Sequence, residues 1–492
     1  MFLGIDLGTS EVKLLLLDAA GGIVATAGSP LQVSRPQALW SEQAPEDWWL
    51  ATQQAMTALR EAHPRAFAEV QAVGLSGQMH GAVLLGEADR VLRPAILWND
   101  GRSHAECAEL TETTPRLHTL AGNLAMPGFT APKLLWVRRH EPEIFAQVRS
   151  VLLPKDWLRL MLTGEKVSEP SDAAGTLWLD VAARDWSDEL LAACGLNRSH
   201  MPRLVESNTP SGHLRPAIAR AWGLSPEVIV AGGAGDNAAS AIGIGATEPG
   251  DGFISLGTSG VLFVVNDRYR PNPASAVHAF CHALPQRWHQ MSVMLSAAAC
   301  LSWFVRLSGA ADEAQLLAEV AALPAEAREN APVFLPYLAG ERTPHNNPFA
   351  QGLFHGLTHE STRAHCAYAV LEGVAFGLAD GLHALQEAGT EVHRLSLVGG
   401  GARSTLWAQL IADVLNVEIV LHRGSEAGGA LGAARLGALA AGGNLAEVCR
   451  KPEVASRHLP DAARHAALKW RLQAFREIYQ RLHPIHLQPR TD

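Results

Sequence analysis

The tetrapeptide Leu-Gly-Thr-Ser occurs twice in this chain, at residues 7–10 and 256–259, half a chain length apart. Each copy follows a short apolar run, residues 1–5 in the first case and 252–254 in the second. Each also precedes one, residues 12–17 closed by Asp18, and residues 261–265 closed by Asn266 and Asp267. Both places are predicted to form strand, tight polar turn, strand. A turn of Gly and two hydroxyl residues is small enough for a phosphate to reach backbone N–H groups. Two such hairpins, opening two halves, predict a duplicated α/β nucleotide-binding fold with a cleft between the halves.

The copies differ in one informative way. Asp6 precedes the first, whereas Ser255 precedes the second. Phosphate charge needs compensation, and Mg²⁺ held by one or two carboxylates is the usual means. The first loop, Gly8, Thr9 and Ser10 with Lys13 in the strand behind it, is therefore the expected reactive and metal-bearing side. The second, Gly257, Thr258 and Ser259, is expected only to hold the nucleotide.

At 492 residues the chain is too long for a single core. Its formal charge of −9 is spread along the sequence and forms no basic stripe, which argues against nucleic acid as a partner. No apolar run reaches membrane-spanning length, and the N-terminus reads as a strand and not as an export signal. Six cysteines form no C-x-x-C pair and read as reduced, mostly buried thiols of a cytoplasmic protein. A homodimer is left open.

The first hundred residues alternate. Strands are expected at 1–6, 12–18, 23–28 and 69–76, a helix near 45–60, and a hairpin over 82–98. Residues 102–225 look mainly helical. A buried strand at 228–231 leads into a glycine turn, and the glycine-rich stretch 243–252 marks the domain boundary and a hinge. The second half repeats the scheme, with helices at 293–330 and 361–388 and a strand at 395–398. The C-terminal helix carries Trp470, Phe475, Ile478, Tyr479 and Leu482 on one face, read as a packing stripe.

Three constellations suit chemistry. Gly232-Gly233-Ala234-Gly235-Asp236-Asn237 follows a strand and opens a helix, a position from which Asp236 could take a proton from an alcohol or simply cap the helix. Gly399-Gly400-Gly401-Ala402-Arg403-Ser404 is again strand, glycines, helix, a bare surface on which adenosine could lie. Gln78-Met79-His80 and Asn99-Asp100-Gly101-Arg102 end successive strands with groups that suit a polyhydroxylated ligand. His278, Cys281, His282 and His289 resemble a metal cluster but fit no zinc spacing. The polar loop at 340–348 either lines the cleft or braces the two halves.

These stretches together resemble the FGGY carbohydrate kinase family, and within it the members that phosphorylate xylulose. Gly4 to Ser10 is similar to the family's first phosphate motif, and Ser76-Gly77-Gln78-Met79-His80-Gly81 to the form found in that branch. Gly235-Asp236-Asn237 resembles the catalytic-base motif. Residues 255–260 resemble the second phosphate motif, 399–404 the adenosine motif, and 371–376 the C-terminal signature. The resemblance implies two actin-like, ribonuclease H-like ATPase domains around an interdomain catalytic cleft. Residues 1–245 would be sugar-binding and catalytic, and 246–492 nucleotide-binding. It further implies transfer from ATP, as its Mg²⁺ complex, to the 5-hydroxyl of D-xylulose. Asp236 would be the base, and Asp6 with Asp236 the metal partners. Gln78, Met79, His80, Asn99, Asp100, Arg102 and Asn237 would face the sugar. Gly8, Thr9, Ser10, Lys13, Gly257, Thr258, Ser259, Gly399, Gly400, Gly401, Ala402 and Ser404 would hold the nucleotide. Glu11 and Ala234 depart from the expected pattern. Ribulose, gluconate or glycerol as substrate, and a non-catalytic actin-like switch, are the competing readings.

Overall fold

A computed structural model of the chain describes residues 1–423 and 428–486. Two seven-stranded sheets organise it. In the first, Ile23–Pro30, Glu11–Leu17 and Phe2–Leu7 pair antiparallel in succession. Ala72–Gly77 then joins Phe2–Leu7 in parallel, Ile229–Ala231 joins Ala72–Gly77 in parallel, and Pro210–His213 closes that edge antiparallel. The two-residue strand Ala234–Gly235 also pairs with Ala72–Gly77.

The second sheet repeats these senses of pairing. Trp288–Met294, Gly260–Asn266 and Gly252–Leu256 run antiparallel. Arg394–Val398 and Glu418–His422 follow in parallel, and Val454–His458 closes the edge antiparallel. One further strand, His278–Cys281, extends the other edge. The duplication legible in the two tetrapeptides is thus a duplication of whole sheets. The central strands Ala72–Gly77 and Phe2–Leu7 are mostly apolar and buried because helices or loops cover both of their faces.

The covering helices are exchanged between the halves. Asp236–Ile244 leaves the first sheet, and its Ala241 and Ile244 pack in one cluster with Phe253 and Phe263 of the second. Gly428–Ala440, from the second half, lies on the first sheet, with Ala430, Leu431 and Ala434 against Leu15 and Leu17. The fit is close enough to demand glycine. A Cβ on Gly74 would stand 1.7 Å from the Ala433 carbonyl oxygen, and one on Gly432 would stand 1.7 Å from that of Ala239. A division of the chain at residue 245 therefore leaves each sheet covered in part by the other half.

Helix Pro45–Ala62 begins at the predicted proline, with Glu46 and Asp47 in its first turn. The hairpin over 82–98 is present as antiparallel bridges, Ala82 with Ile96 and Leu85 with Val91, around a turn at Glu87–Asp89, and its arms also pair outward, Val83–Leu85 with Ser150–Leu152 and Ala95–Ile96 with Glu42–Gln43. Two expectations are corrected. Residues 293–294 end a strand, and helix starts only at Ala298. On the C-terminal helix Ala462–His486, Phe475 and Tyr479 are buried but Trp470 is 57% exposed. No described helix is long and apolar enough to cross a membrane. The six thiols are free, and all but Cys366 are buried.

Candidate active site

Strand register brings the carboxylates of the first half to one edge. Asp6 lies beside Ser76, Ala234 beside Ser76, and Gly235 beside Gly77. Asp6 and Asp236 therefore stand near the carboxyl ends of neighbouring strands, where open α/β sheets bind ligands. Asp236 is the first residue of its helix. Its Oδ1 accepts from the Asn237 backbone N–H at 2.7 Å and from Asn237 Nδ2 at 2.9 Å. Burial, and then the charge of Asp6, push its pKa up to about 6. Burial also raises Asp6, against the opposing pull of Ser76 and Lys13.

The loop at residues 8–10 is braced from beneath. Thr9 Oγ1 donates to Gln78 Oε1 at 3.1 Å and accepts from Trp98 Nε1 at 2.9 Å. Gln78 Nε2 donates to Gln43 Oε1 at 3.1 Å, and Gln43 Nε2 donates to the Thr9 carbonyl at 2.8 Å. Gln78 was expected to face the sugar. At 3% exposure it is part of this brace instead, because an amide that both donates and accepts satisfies the loop's buried polar groups. Glu11 turns toward Gly28 on the neighbouring strand, where a Cβ would meet its carboxylate. The Glu11 charge still reaches Asp6 and adds to the rise of its pKa.

A cleft of about 700 Å³ opens between the halves. Met79, His80, Asn99, Asp100, Asp236 and Asn237 line it from the first half, and Ser259, His278 and Arg342 from the second. His80 takes a left-handed φ of 70°, and its Nδ1 lies 2.7 Å from the Gly175 carbonyl oxygen. Burial lowers its pKa to about 3, so the ring is neutral. Asp100 lines the cleft, as expected, and Arg102 is a second correction. Arg102 does not line the cleft; its Nε and NH2 donate to Asp100 at 2.9 and 2.7 Å, its NH1 meets Glu42 at 2.8 Å, and it stacks 3.6 Å over the Trp40 ring. Asp100 spends its oxygens on Arg102 and on the Ser41 N–H at 2.6 Å, so the pair shapes the wall and has little left for a sugar.

In the second half Ser255 pairs with Val398, which brings the loops at 257–259 and 399–404 side by side. The Gly257 N–H bonds the Ser259 carbonyl at 3.1 Å, and its own carbonyl accepts from Ala298 at 2.8 Å. Gly399 has φ 92°, and residues Gly400–Arg403 form a 3₁₀ turn before helix Thr405–Leu415. Ser404 caps that helix, accepting from the Trp407 N–H at 3.2 Å.

Sequence reasoning missed a buried ionic cluster beneath these turns. Lys155 Nζ meets Asp156, Glu169 and Asp172 at 2.9, 3.1 and 2.9 Å. Arg159 donates to the Ala231 and Gly232 carbonyls at 2.6 and 2.5 Å and to Ser211 at 2.7 Å. Glu169 caps helix Pro170–Ala173, whose Ser171 hydroxyl accepts from the Gly235 N–H at 3.2 Å. Burial and the neighbouring carboxylates push Asp172 up, against the pull of Lys155. No local pattern in residues 155–172 announces this role. Of the four residues weighed as a metal cluster, only His278 reaches the cleft, its Nδ1 bonded to Asn123 Oδ1 at 2.9 Å.

Comparison with known proteins decides the family. Residues 1–243 match the N-terminal domain of the FGGY family of carbohydrate kinases, and residues 252–441 match its C-terminal domain. The chain belongs to this family. The xylulose kinase of Escherichia coli (strain K12) is 53% identical over 487 residues, which is 99% of this chain and 100% of the relative. That of Bacillus subtilis (strain 168) is 38% identical over 443 residues, 89% of this chain and 88% of its own. Among solved structures, a xyloylose kinase from Brucella ovis superposes with a TM-score of 0.95 at 52% identity, covering 98% of this chain and 99% of its own. A gluconate kinase from Lactobacillus acidophilus reaches 0.90 at 25% identity, covering 98% and 97%. Within the family, overall shape is thus shared by kinases of different sugars.

Proposed function

We propose that this FGGY kinase transfers the γ-phosphoryl group of ATP to the 5-hydroxyl of D-xylulose. The observation that carries the chemistry is Asp236. Asn237 occupies its Oδ1 twice, which leaves Oδ2 to accept the proton of the attacking hydroxyl. A pKa near 6 keeps this carboxylate ionised at neutral pH yet basic enough to share that proton. The substrate assignment rests on the relatives named xylulose kinase and on Met79 and His80. Met79 offers an apolar wall to the carbon face of a short sugar. His80 gives its Nδ1 proton to Gly175, so its Nε2 is left to accept from a hydroxyl.

Phosphoryl transfer asks the protein mainly to position groups and to compensate charge. Backbone N–H groups at Thr9 and Ser10 and at Thr258 and Ser259 would clamp the phosphates from opposite halves, with Gly8 and Gly257 closing the two turns through their own N–H groups and Lys13 behind the first loop. Gly399 to Ala402 would receive the adenosine, with Ser404 shaping the turn through its cap. Asp6 and Asp236 fit a Mg²⁺ ion. A Cβ on Gly429 would stand 2.8 Å from both Asp6 carboxylate oxygens, so a side chain at this position would take the space beside them that glycine leaves. The Asp6 charge that raises Asp236 is of the kind a cation offsets. When bound, the ion would neutralise phosphate charge.

The test is sugar-dependent ADP release over D-xylulose, D-ribulose, L-ribulose, gluconate and glycerol. Preference for D-xylulose is the expected result. Preference for another sugar overturns the substrate, and ADP release indifferent to every sugar overturns the kinase reading.

A further inference from the structure

The loop at 340–348, ambiguous in sequence, is stitched to the wall of the cleft. Glu341 Oε1 accepts the Leu295 and Arg342 backbone N–H groups at 3.0 and 2.7 Å. The Thr343 N–H bonds the Val293 carbonyl at 3.0 Å, and Thr343 Oγ1 meets the Val293 N–H at 3.1 Å and the Ala276 carbonyl at 3.0 Å. Asn347 exchanges backbone bonds with Glu341 and donates its Nδ2 to the Tyr479 hydroxyl at 3.1 Å. Glu341, Thr343 and Asn347 are buried. Between them, Arg342 lines the cleft.

Among the described residues, none makes a side-chain hydrogen bond or ion pair with this guanidinium, and burial lowers its pKa against the pull of the Glu341 charge. Its neighbour Glu341 is committed to backbone amides, and burial pushes that carboxyl up to about 8. The charge of Arg342 bears on His80 and His278, whose imidazoles it helps to keep neutral. Strand register places Arg342 at the His80 end of the cleft: Thr343 is bonded to Val293, two residues along the strand from Met291, which pairs with His278, and the His278 ring lies 5.7 Å from Phe129, itself 4.6 Å from the His80 ring.

We propose that Arg342 binds the carbonyl oxygen of the ketose, and so selects open-chain ketoses over the corresponding alditols. The inference rests on the sugar-kinase reading given above. The terminal hydroxyl presented to Asp236 lies at one end of a five-carbon chain, and the C2 carbonyl lies toward the other. Arg donates only, and a carbonyl oxygen accepts only. The sugar's hydroxyls, which donate as well, match the acceptor nitrogens of the neutral histidines. A C2 hydroxyl would bring a hydrogen that must turn away from the guanidinium, on a carbon of different geometry. Being fixed to the second half, Arg342 also makes the sugar a bridge across the cleft.

The experiment compares D-xylulose with xylitol on wild type, Arg342→Lys and Arg342→Gln. Hydrogen bonds from charged donors predict a loss of about 10- to 100-fold in kcat/KM for D-xylulose in Arg342→Gln, carried mainly by KM. Xylitol should lose far less, so the ketose-to-alditol ratio narrows at least tenfold. Arg342→Lys, which keeps the charge and one donor, should recover part of that ratio. Thermal unfolding of each variant controls for folding, and should Arg342→Gln not fold, the ratio in Arg342→Lys decides. An unchanged ratio overturns the proposal. A fall in kcat at constant KM for both substrates also overturns it and places Arg342 on the transferring phosphoryl group. If wild type does not phosphorylate D-xylulose, the substrate reading fails first, independently of any variant.

Discussion

The Nδ1 of His80 lies 2.7 Å from the carbonyl oxygen of Gly175. Gly175 belongs to the 3₁₀ turn Ala174–Thr176, which continues from helix Pro170–Ala173. The same helix holds the Gly235 N–H through Ser171. The imidazole proposed to read the sugar and the carboxylate proposed to activate it are therefore suspended from one short helix. Glu169 caps that helix from within the Lys155 cluster.

His80→Ala should lower kcat/KM for D-xylulose by about 10- to 100-fold, through the loss of a buried acceptor for a hydroxyl. Steady-state kinetics on D-xylulose and D-ribulose check this. An unaltered ranking and efficiency would remove His80 from the specificity argument.

Asp236→Asn should lower kcat by about 10²- to 10⁴-fold while ATP binding, followed by calorimetry, persists. For wild type, kcat/KM should rise with pH through about 6 as the base loses its proton. Stability runs the other way. The folded carboxyl titrates above its ordinary value of 3.8, so its contribution to folding is fullest below 3.8 and is lost as pH rises through about 6. The melting temperature of Asp236→Asn should consequently gain on that of wild type across the same interval.

Arg159→Met leaves the Gly232 carbonyl without its buried donor and removes the charged donor from the Ala231 carbonyl and the positive charge beside Asp156, and should cost about 3–5 kcal/mol in denaturant unfolding. Arg159→Lys retains the charge but loses the fork that spans two carbonyls. It should recover most of the stability and less of kcat, because the turn that aims Asp236 is loosened. Equal recovery of both would make Arg159 a structural residue only.

Gly432→Val forces a side chain into the Ala239 carbonyl, and should destabilise the protein by about 1–3 kcal/mol or more. Both halves should unfold together in calorimetry. Two separated transitions would show that the exchanged helices do not couple the sheets.

The parts of this fold that were legible in sequence are those written in local pattern. The two hairpins, the glycine turns before Asp236 and at Gly399, and the proline start of helix Pro45–Ala62 each occupy a few consecutive residues with a strong physical signal. The places of Gln78 and Arg102 are not legible in sequence, because a polar side chain at a strand end looks the same whether it faces a ligand or a buried polar group. The Arg159 contacts span 72 residues and the packing of Gly4 and Gly74 on residues 430–437 spans the chain, so no window of sequence contains them. His278 and Arg342 reach the cleft only because the second half folds against the first.

The exchanged helices also bear on how the chain is made. During synthesis the first sheet can assemble once residues near 235 have emerged, yet the face around Leu15, Leu17 and Gly74 stays bare until Gly428–Ala440 follows about two hundred residues later. At the usual elongation rate of about 5–20 residues per second, that is an interval of tens of seconds at most. Throughout it, a half-finished kinase displays a strip of glycine and leucine that a chaperone, or a neighbouring nascent chain, can reach first.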